Sequence, residues 1–318
     1  MSTVAKVVGG LGLAAAATVA YAAFIERKAY TLREVEAAVL PAGSAPMRIL
    51  HLSDMHLAPW QSDKIAWVRE LADLEPDLVV NTGDNLGHAE GFAAVETALE
   101  LFAGVPGLFV NGSNDYFAPE MKNPFAYLAG PSRVKKQPVR LNTARMTRYF
   151  TDVLGWTDLN NHAALLTVGG VRIDALGVDD PHRKFDDEAA ALSEFDSVRS
   201  SGDALGLALD DEVAKDAALT LGVAHAPYRR VLDTFVDAGA DVIFAGHTHG
   251  GQVCVPGYGA LVTNCDLPRE QAKGLSTWSH NGRHAVLNVS AGLGTSIYAP
   301  VRLACRPEAS LVTLTAKN

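Results

Sequence analysis

Short apolar runs that stop at a glycine or a polar residue recur along the chain, the pattern of buried strands feeding loops. Met47–Leu52 runs into Ser53-Asp54-Met55-His56, Asp77–Thr82 into Gly83-Asp84, and Gly107–Val110 into Asn111-Gly112-Ser113-Asn114-Asp115. Leu219–Ala224 runs into His225-Ala226-Pro227, and Asp241–Ala245 into Gly246-His247-Thr248-His249-Gly250-Gly251. Between the first three runs the apolar period changes to that of a helix. Ile65, Val68, Leu71 and Ala72 make one face over Ser62–Glu75, capped by Ser62 or Asp63, and Val95, Leu99 and Phe102 make one over Gly91–Phe102. The β-α-β-α-β order predicts parallel strands. Leu165–Val168 and Val171–Val178 flank Gly169-Gly170 and predict an antiparallel hairpin that opens a second sheet. Tyr228–Ala238 predicts a helix, and Ala285–Val289 and Ser310–Thr315 predict strands closing that second sheet.

All five strand exits carry Asp, Asn or His. Asp54 and His56 are two apart, as are His247 and His249, so on an extended segment each pair points one way. Neutral imidazole is the commonest side-chain ligand for first-row transition metals, and ligands of open α/β sheets bind at the carboxyl edge of the strands. A histidine or aspartate after one strand is ordinary. Five in succession point to a metal site.

These blocks, Asp54/His56, Gly83/Asp84, Gly112 to Asp115, His225 and Gly246/His247/His249, resemble in order those of the calcineurin-like metallophosphoesterases, over roughly residues 47–315. The longer string Gly246-His247-Thr248-His249-Gly250-Gly251-Gln252-Val253 is most similar to the membrane-associated branch that includes bacterial UDP-diacylglucosamine pyrophosphatase-like enzymes. The resemblance implies an α/β fold, a two-sheet sandwich of mixed sheets with flanking helices and a dimetal site at the strand ends. It implies hydrolysis of a phosphate ester or pyrophosphate bond by a hydroxide held between two divalent ions. Asp84 would be the bridge, with Asp54, His56 and His249 on one ion and His225, His247 and an amide oxygen from Asn114 on the other. Mixed imidazole and carboxylate ligands suit Mn, Fe or Zn.

The family's Gly-Asn-His-Asp is here Gly112-Ser113-Asn114-Asp115. Aligned without a gap, Ser113 replaces the amide and Asn114 the histidine that serves the leaving group; shifted by one, Asn114 keeps the amide role and the histidine is missing. Either way the usual general acid is absent, a contribution of about 10²–10⁴-fold. A good leaving group such as a phosphoryl group of a pyrophosphate would remove the need for it, and a loop histidine, His88 or His182, could replace it. The arginine that follows Gly-Asp in phosphoprotein phosphatases is also missing, since Gly83-Asp84 continues Asn85-Leu86-Gly87.

Residues Val7 to Ile25 carry no charge, with Lys6 before them and Glu26-Arg27-Lys28 after. This length spans a bilayer, so residues 1–28 are expected as a membrane anchor, with a cleaved signal as the rival because Ala20-Tyr21-Ala22 fits a cleavage site. Arg27, Lys28 and Arg33 after the run lean towards a cytoplasmic catalytic domain. Residues 29–46 are expected as a linker and 47–318 as the catalytic domain, with 116–163 a cap-like insertion.

Across 318 residues the net charge is −9, which argues against a nucleic-acid-binding surface. Within the insertion, however, Arg133, Lys135, Lys136, Arg140, Arg145 and Arg148 stand without an acid. This is either a solvated basic loop or a surface for an anionic substrate or lipid headgroup, with Arg133, Lys135, Lys136 and Arg140 as candidate contacts. Asp186–Asp216 is acidic and expected as a solvated, partly helical surface. Gly292-Leu293-Gly294-Thr295-Ser296 is expected as a loop near the site, read as a plain turn with a phosphate-cradling glycine run as the alternative. Three cysteines give no disulfide framework.

The substrate expected is a phosphorylated small molecule or a lipid-linked or nucleotide-sugar pyrophosphate. The alternatives are a cyclic-nucleotide or general phosphodiesterase and, from another class, a degenerate metal-binding or surface-binding module.

Overall fold

The continuous apolar runs form strands covered on both faces, as such runs require. The computed structural model describes residues 3–119, 139–204 and 218–317. In chain order the strands are β1 (Thr31–Leu40), β2 (Met47–Leu52), β3 (Leu78–Asn81), β4 (Gly107–Phe109), β5 (Thr157–Asp158), β6 (Ala163–Val168) and β7 (Val171–Gly177). They continue with β8 (Ala218–Ala224), β9 (Val242–Ala245), β10 (Cys254–Val255), β11 (Gly259–Ala260), β12 (Gly274–His280), β13 (Arg283–Val289) and β14 (Glu308–Ala316). The α-helices are α1 (Thr3–Phe24), α2 (Ser62–Glu70), α3 (Phe92–Leu99), α4 (Ser113–Tyr116), α5 (Thr143–Arg148), α6 (Glu188–Ala204) and α7 (Arg229–Asp237).

One six-stranded sheet has the order β1-β14-β2-β3-β4-β5 and the other β12-β13-β9-β8-β7-β6. β2, β3, β4 and β5 are parallel, as are β7, β8, β9 and β13, while β14 and β12 run antiparallel to β2 and β13, making both sheets mixed. Alternation along each strand divides the core. Ile49, Val80 and Leu108 face Ile173, Leu221, Val223 and Phe244 between the sheets. Leu50, Leu52 and Val79 turn outward onto Val68, Val95, Leu99 and Phe102 of the helical layer. Leu176, Ile243 and Leu287 pack on Phe195, Val231 and Phe235 on the far side. Each such side chain contributes about 1.5–3 kcal/mol by leaving water. The expected α/β two-sheet sandwich is the fold.

The helix over 62–75 is α2 followed by a 3-10 turn at Leu71–Leu74; Gln61 precedes it, so neither Ser62 nor Asp63 is the cap. Four larger differences stand out. Residues 29–46 are not all linker, because Thr31–Leu40 pairs in parallel with β14. Arg33, Glu34 and Glu36 mask its alternation; they suit an edge strand, and Arg33 Nη2 reaches Glu308 Oε2 at 2.7 Å. Ser310–Thr315 belongs to the first sheet, not the second, filling the place between β1 and β2. The described part of 116–163 is not merely an insertion: Met146, Phe150, Leu154 and Trp156 are buried in the first sheet's outer core, and β5 extends that sheet. Finally, Ala191 and Phe195 of α6 are buried, so this acidic segment also packs. The pattern gave no warning of β12, although Asn281-Gly282, both at positive φ, turn it into β13.

α1 is almost wholly exposed, and Lys6–Lys28 is long and apolar enough to cross a membrane. Its base is tied to the domain: Arg302 N donates to Ala22 O at 3.1 Å and Cys305 N to Glu26 Oε1 at 2.6 Å.

Candidate metal centre

The loops after β2, β3, β8 and β9 converge at one edge of the sandwich. Asp54 (φ 47), His56 (φ 42), Asp84 (φ 55), His247 (φ 66) and His249 (φ 50) all adopt left-handed backbone there. That conformation costs L-residues roughly 1–2 kcal/mol each and persists where surrounding structure imposes it, commonly at functional sites. Glycines make room for the convergence. A Cβ on Gly112 would lie 2.3 Å from Asp84 Oδ1 and 2.7 Å from His225 Cε1, and one on Gly246 would lie 1.9 Å from Ser53 Oγ.

Two groups of side chains, all buried except the half-buried His249, could each hold a metal ion: Asp54, His56 and His249, and Asp54, Asp84 and His225. His56 Nε2 lies 3.3 Å from His249 Nε2 and 3.5 Å from Asp84 Oδ2. Asp84 Oδ1 lies 3.7 Å from His225 Nε2, and His249 Nε2 lies 3.5 Å from Asp54 Oδ1. His247 Nδ1 stands 3.3 Å from His225 Nε2. Nitrogens and oxygens at 3.3–3.7 Å are too far apart for good mutual hydrogen bonds, yet they share a small space. Asp54 Oδ1 is buried with no hydrogen-bond partner, which is costly unless something else satisfies it. A metal ion fits this donor set.

Backbone carbonyls aim the rings. His225 Nδ1 donates to Thr82 O at 2.7 Å and His249 Nδ1 to Gly294 O at 3.1 Å, which turns both Nε2 atoms inward. His247 Nε2 is 3.1 Å from Asn264 Nδ2, with Nδ1 facing His225. This orientation by outer partners is usual for metal-binding histidines.

Electrostatics agree. Burial drives His56 down to about 4, and burial with neighbouring His182 and His225 holds His247 well below its ordinary value. Burial and His56 do the same to His249. These rings are therefore neutral, the metal-binding form. Burial opposes charge on His225, but Asp84, Asp54 and Asp180 carry it up to about 9. Burial also opposes charge on Asp84, yet His225, His56 and the Asn114 hydrogen bonds hold it well below the usual range. The carboxylates thus call for positive charge at this spot.

The structure brings Asp54, His56, Asp84, Asn114, His225, His247 and His249 together. Asn114, rather than Ser113, meets Asp84; Ser113 Oγ turns away to donate to Asp180 Oδ2 at 2.5 Å. The His182 ring lies tilted against that of His247, their centroids 4.5 Å apart, with Nδ1 3.0 Å from Tyr228 OH. His88 lies edge-on to Trp60. Arg140 is exposed, its guanidinium 5.7 Å above Phe117, while Arg133, Lys135 and Lys136 lie outside the described residues.

Several supporting residues escaped the sequence reading. Asp115 is fully buried and accepts from the backbone N–H groups of Asp84, Asn85 and Gly112. The 292–296 loop, expected as a turn, is the floor of the site: Cβ atoms on Gly292 and Gly294 would lie 2.5 Å from Asp54 Cβ and 2.6 Å from His56 Cβ. Its paired glycines were the only signal.

A two-sheet sandwich whose strand ends gather two clusters of buried imidazoles and carboxylates is the architecture of a metal-dependent phosphohydrolase. The chain belongs to the calcineurin-like phosphoesterase family, whose sequence profile matches residues 47–251. It is 26% identical over 276 residues to the uncharacterised protein YpbG of Bacillus subtilis, covering 86% of this chain and 82% of that one. It is 26% identical over 290 residues to the UDP-2,3-diacylglucosamine pyrophosphatase LpxG of Chlamydia trachomatis, covering 84% and 83%. A bovine transmembrane protein with a metallophosphoesterase domain is 28% identical over 238 residues, covering 71% of this chain and 45% of its own length. Among solved structures, a 5'-nucleotidase precursor of Thermus thermophilus aligns with a TM-score of 0.44 at 14% identity, over 85% of this chain and 55% of that chain. The protein is accordingly a phosphoester hydrolase by family.

Proposed function

We propose that the chain hydrolyses a pyrophosphate or phosphate ester bond of a lipid-linked or nucleotide-sugar substrate at a membrane surface, using a dinuclear centre. The observation that carries this is Asp84, whose Oδ2 faces His56 and whose Oδ1 faces His225, the geometry of a bridging carboxylate. Asp54, His56 and His249 would hold one ion, and His225, His247 and Asn114 the other. Mn, Fe or Zn suits these ligands, and when bound such ions activate water and neutralise phosphoryl oxygens.

The residues themselves orient the site. Asn114 holds Asp84 through two hydrogen bonds, and Asp115 locks the loops that present both. No histidine stands in the Gly112–Asp115 string to protonate a leaving group. A pyrophosphate, whose leaving phosphoryl group needs little protonation, fits that gap. The similarity to LpxG, a UDP-2,3-diacylglucosamine pyrophosphatase, supports the same substrate class. The apolar helix α1 supports attachment to a membrane, and Arg133, Lys135, Lys136 and Arg140 remain candidate contacts for an anionic substrate.

The test compares leaving groups on the full chain in detergent with Mn. The expected result is turnover of a nucleoside diphosphate sugar and of bis-p-nitrophenyl phosphate, with dialkyl phosphate slower by about 10²–10⁴-fold than a family member holding the histidine. Dialkyl phosphate hydrolysis at that member's rate would contradict the reading.

A further inference from the structure

A cavity of about 140 Å³ lies between the base of α1 and the metal centre, lined by Arg27, Lys28, Trp60, Lys64, Gly294 and Thr295 among others. It is small beside the roughly 300–1,000 Å³ of pockets that engulf a whole ligand, so it suits one chemical group. Its inner wall belongs to the site. Gly294 O takes the His249 Nδ1 hydrogen bond, and Lys64 Nζ donates to Met55 O at 2.7 Å and to His56 O at 3.4 Å.

The lining carries Arg27 and Lys28 against Asp63, which pairs with Lys28 at 3.1 Å, while burial pushes the ammonium of Lys64 down to about 7, leaving Arg27 as the unpaired cation of the cavity. Arg27 Nε is buried and has no hydrogen-bond partner. A buried guanidinium N–H left unpaired is a donor awaiting an acceptor, and phosphate oxygens match that fork well. The outer wall follows directly on α1, in the turn Glu26–Lys28. With α1 in a bilayer, this turn lies at headgroup level, where cations meet anionic headgroups and tryptophans such as the 62% exposed Trp60 concentrate.

We infer that this cavity is a binding site for the phosphate-bearing headgroup of a membrane lipid, presented beside the metal centre. That the bound lipid is then substrate rests on the hydrolase reading; the binding itself does not.

The test is calorimetric titration of the full chain, in nonionic detergent, with soluble dihexanoyl phosphatidate and separately with inorganic phosphate. Saturable phosphatidate binding is expected, and it persists in Asp84→Ala, because the cavity does not use Asp84. Arg27→Gln weakens it about tenfold or more, as loss of a charge-assisted contact should. Trp60→Ala, altering only an exposed side chain and so sparing the fold, weakens it severalfold. Inorganic phosphate binds at least about tenfold more weakly than the lipid. Absence of saturable binding, its loss in Asp84→Ala, unchanged affinity in both cavity variants, or phosphate binding as tightly as the lipid would each overturn the inference. Phosphatidate binding in a chain that turns over neither a nucleoside diphosphate sugar nor bis-p-nitrophenyl phosphate would instead leave this site standing and sink the proposed substrate reading alone.

Discussion

Asn114 meets Asp84 twice: its backbone N–H donates to Oδ1 at 2.8 Å and its side-chain amide nitrogen to Oδ2 at 2.7 Å. The two bonds fix the plane of the carboxylate whose oxygens face His56 and His225. Asn114→Ala keeps the first and removes the second. A hydrogen bond to a charged group is worth about 1.5–3 kcal/mol, so turnover of bis-p-nitrophenyl phosphate is expected to fall about tenfold to a hundredfold with the fold intact. Steady-state kinetics with circular dichroism on the same samples checks this, and wild-type rates would contradict it.

Asp115 serves stability as well as the site. Its two oxygens accept from three backbone N–H groups at 2.8–2.9 Å, joining the loop after β3 to that after β4. Asp115→Ala leaves those buried donors unpaired and is expected to cost about 3–5 kcal/mol, since several buried N–H groups lose their acceptor at about 1–3 kcal/mol each. Denaturant unfolding reads it directly. A change below about 1 kcal/mol, the worth of one ordinary hydrogen bond, would show that the loops hold without it.

Gly112→Ala makes a clash that no side chain can absorb. The added methyl would sit 2.7 Å from the Asp84 backbone nitrogen as well as 2.3 Å from its carboxylate. The expected outcome is loss of bound Mn along with activity, seen by elemental analysis. Full metal content would mean that the strand ends can separate.

Asp179 supplies a pH dependence away from the clustered histidines. Burial raises it from 3.8 to about 6, against the hydrogen bonds from Tyr116 and the Asp180 N–H. The folded state therefore holds a proton that the unfolded chain has released between these values. The group's contribution is fully present below about 3.8 and is lost as pH rises through about 6. Asp179→Asn removes the titration, so its stability relative to wild type should grow between pH 4 and pH 7. Parallel chemical denaturation across that range tests the sign, and a constant difference would contradict it.

The sandwich and the convergence of its strand ends were legible because buried strands read as unbroken apolar runs and each ended in a chelating residue. Less legible was everything fixed by partners distant in sequence. β1 hides behind Arg33, Glu34 and Glu36, whose charges are tolerated only because the strand lies at an edge and Glu308 waits 275 positions away. Ser310–Thr315 has the same alternation whichever sheet it joins, so pattern alone put it in the wrong one. Phe150 and Trp156 followed a basic stretch and were read with it. At the site, the Ser113-Asn114 change left two registers open until geometry turned Ser113 to Asp180 and Asn114 to Asp84. Asp and His tolerate left-handed backbone better than most residue types, but nothing in the pattern marked Asp54, His56 and Asp84 as the positions that adopt it.

The central claim is that Asp84 bridges two ions that the chain needs for hydrolysis. Metal content and bis-p-nitrophenyl phosphate turnover should be measured together on wild type and Asp84→Ala, using the full chain because β1 completes the sheet. The account predicts two ions per chain with turnover in wild type, and loss of both in the variant. One ion or none in an inactive wild type, or turnover that survives Asp84→Ala, would contradict it.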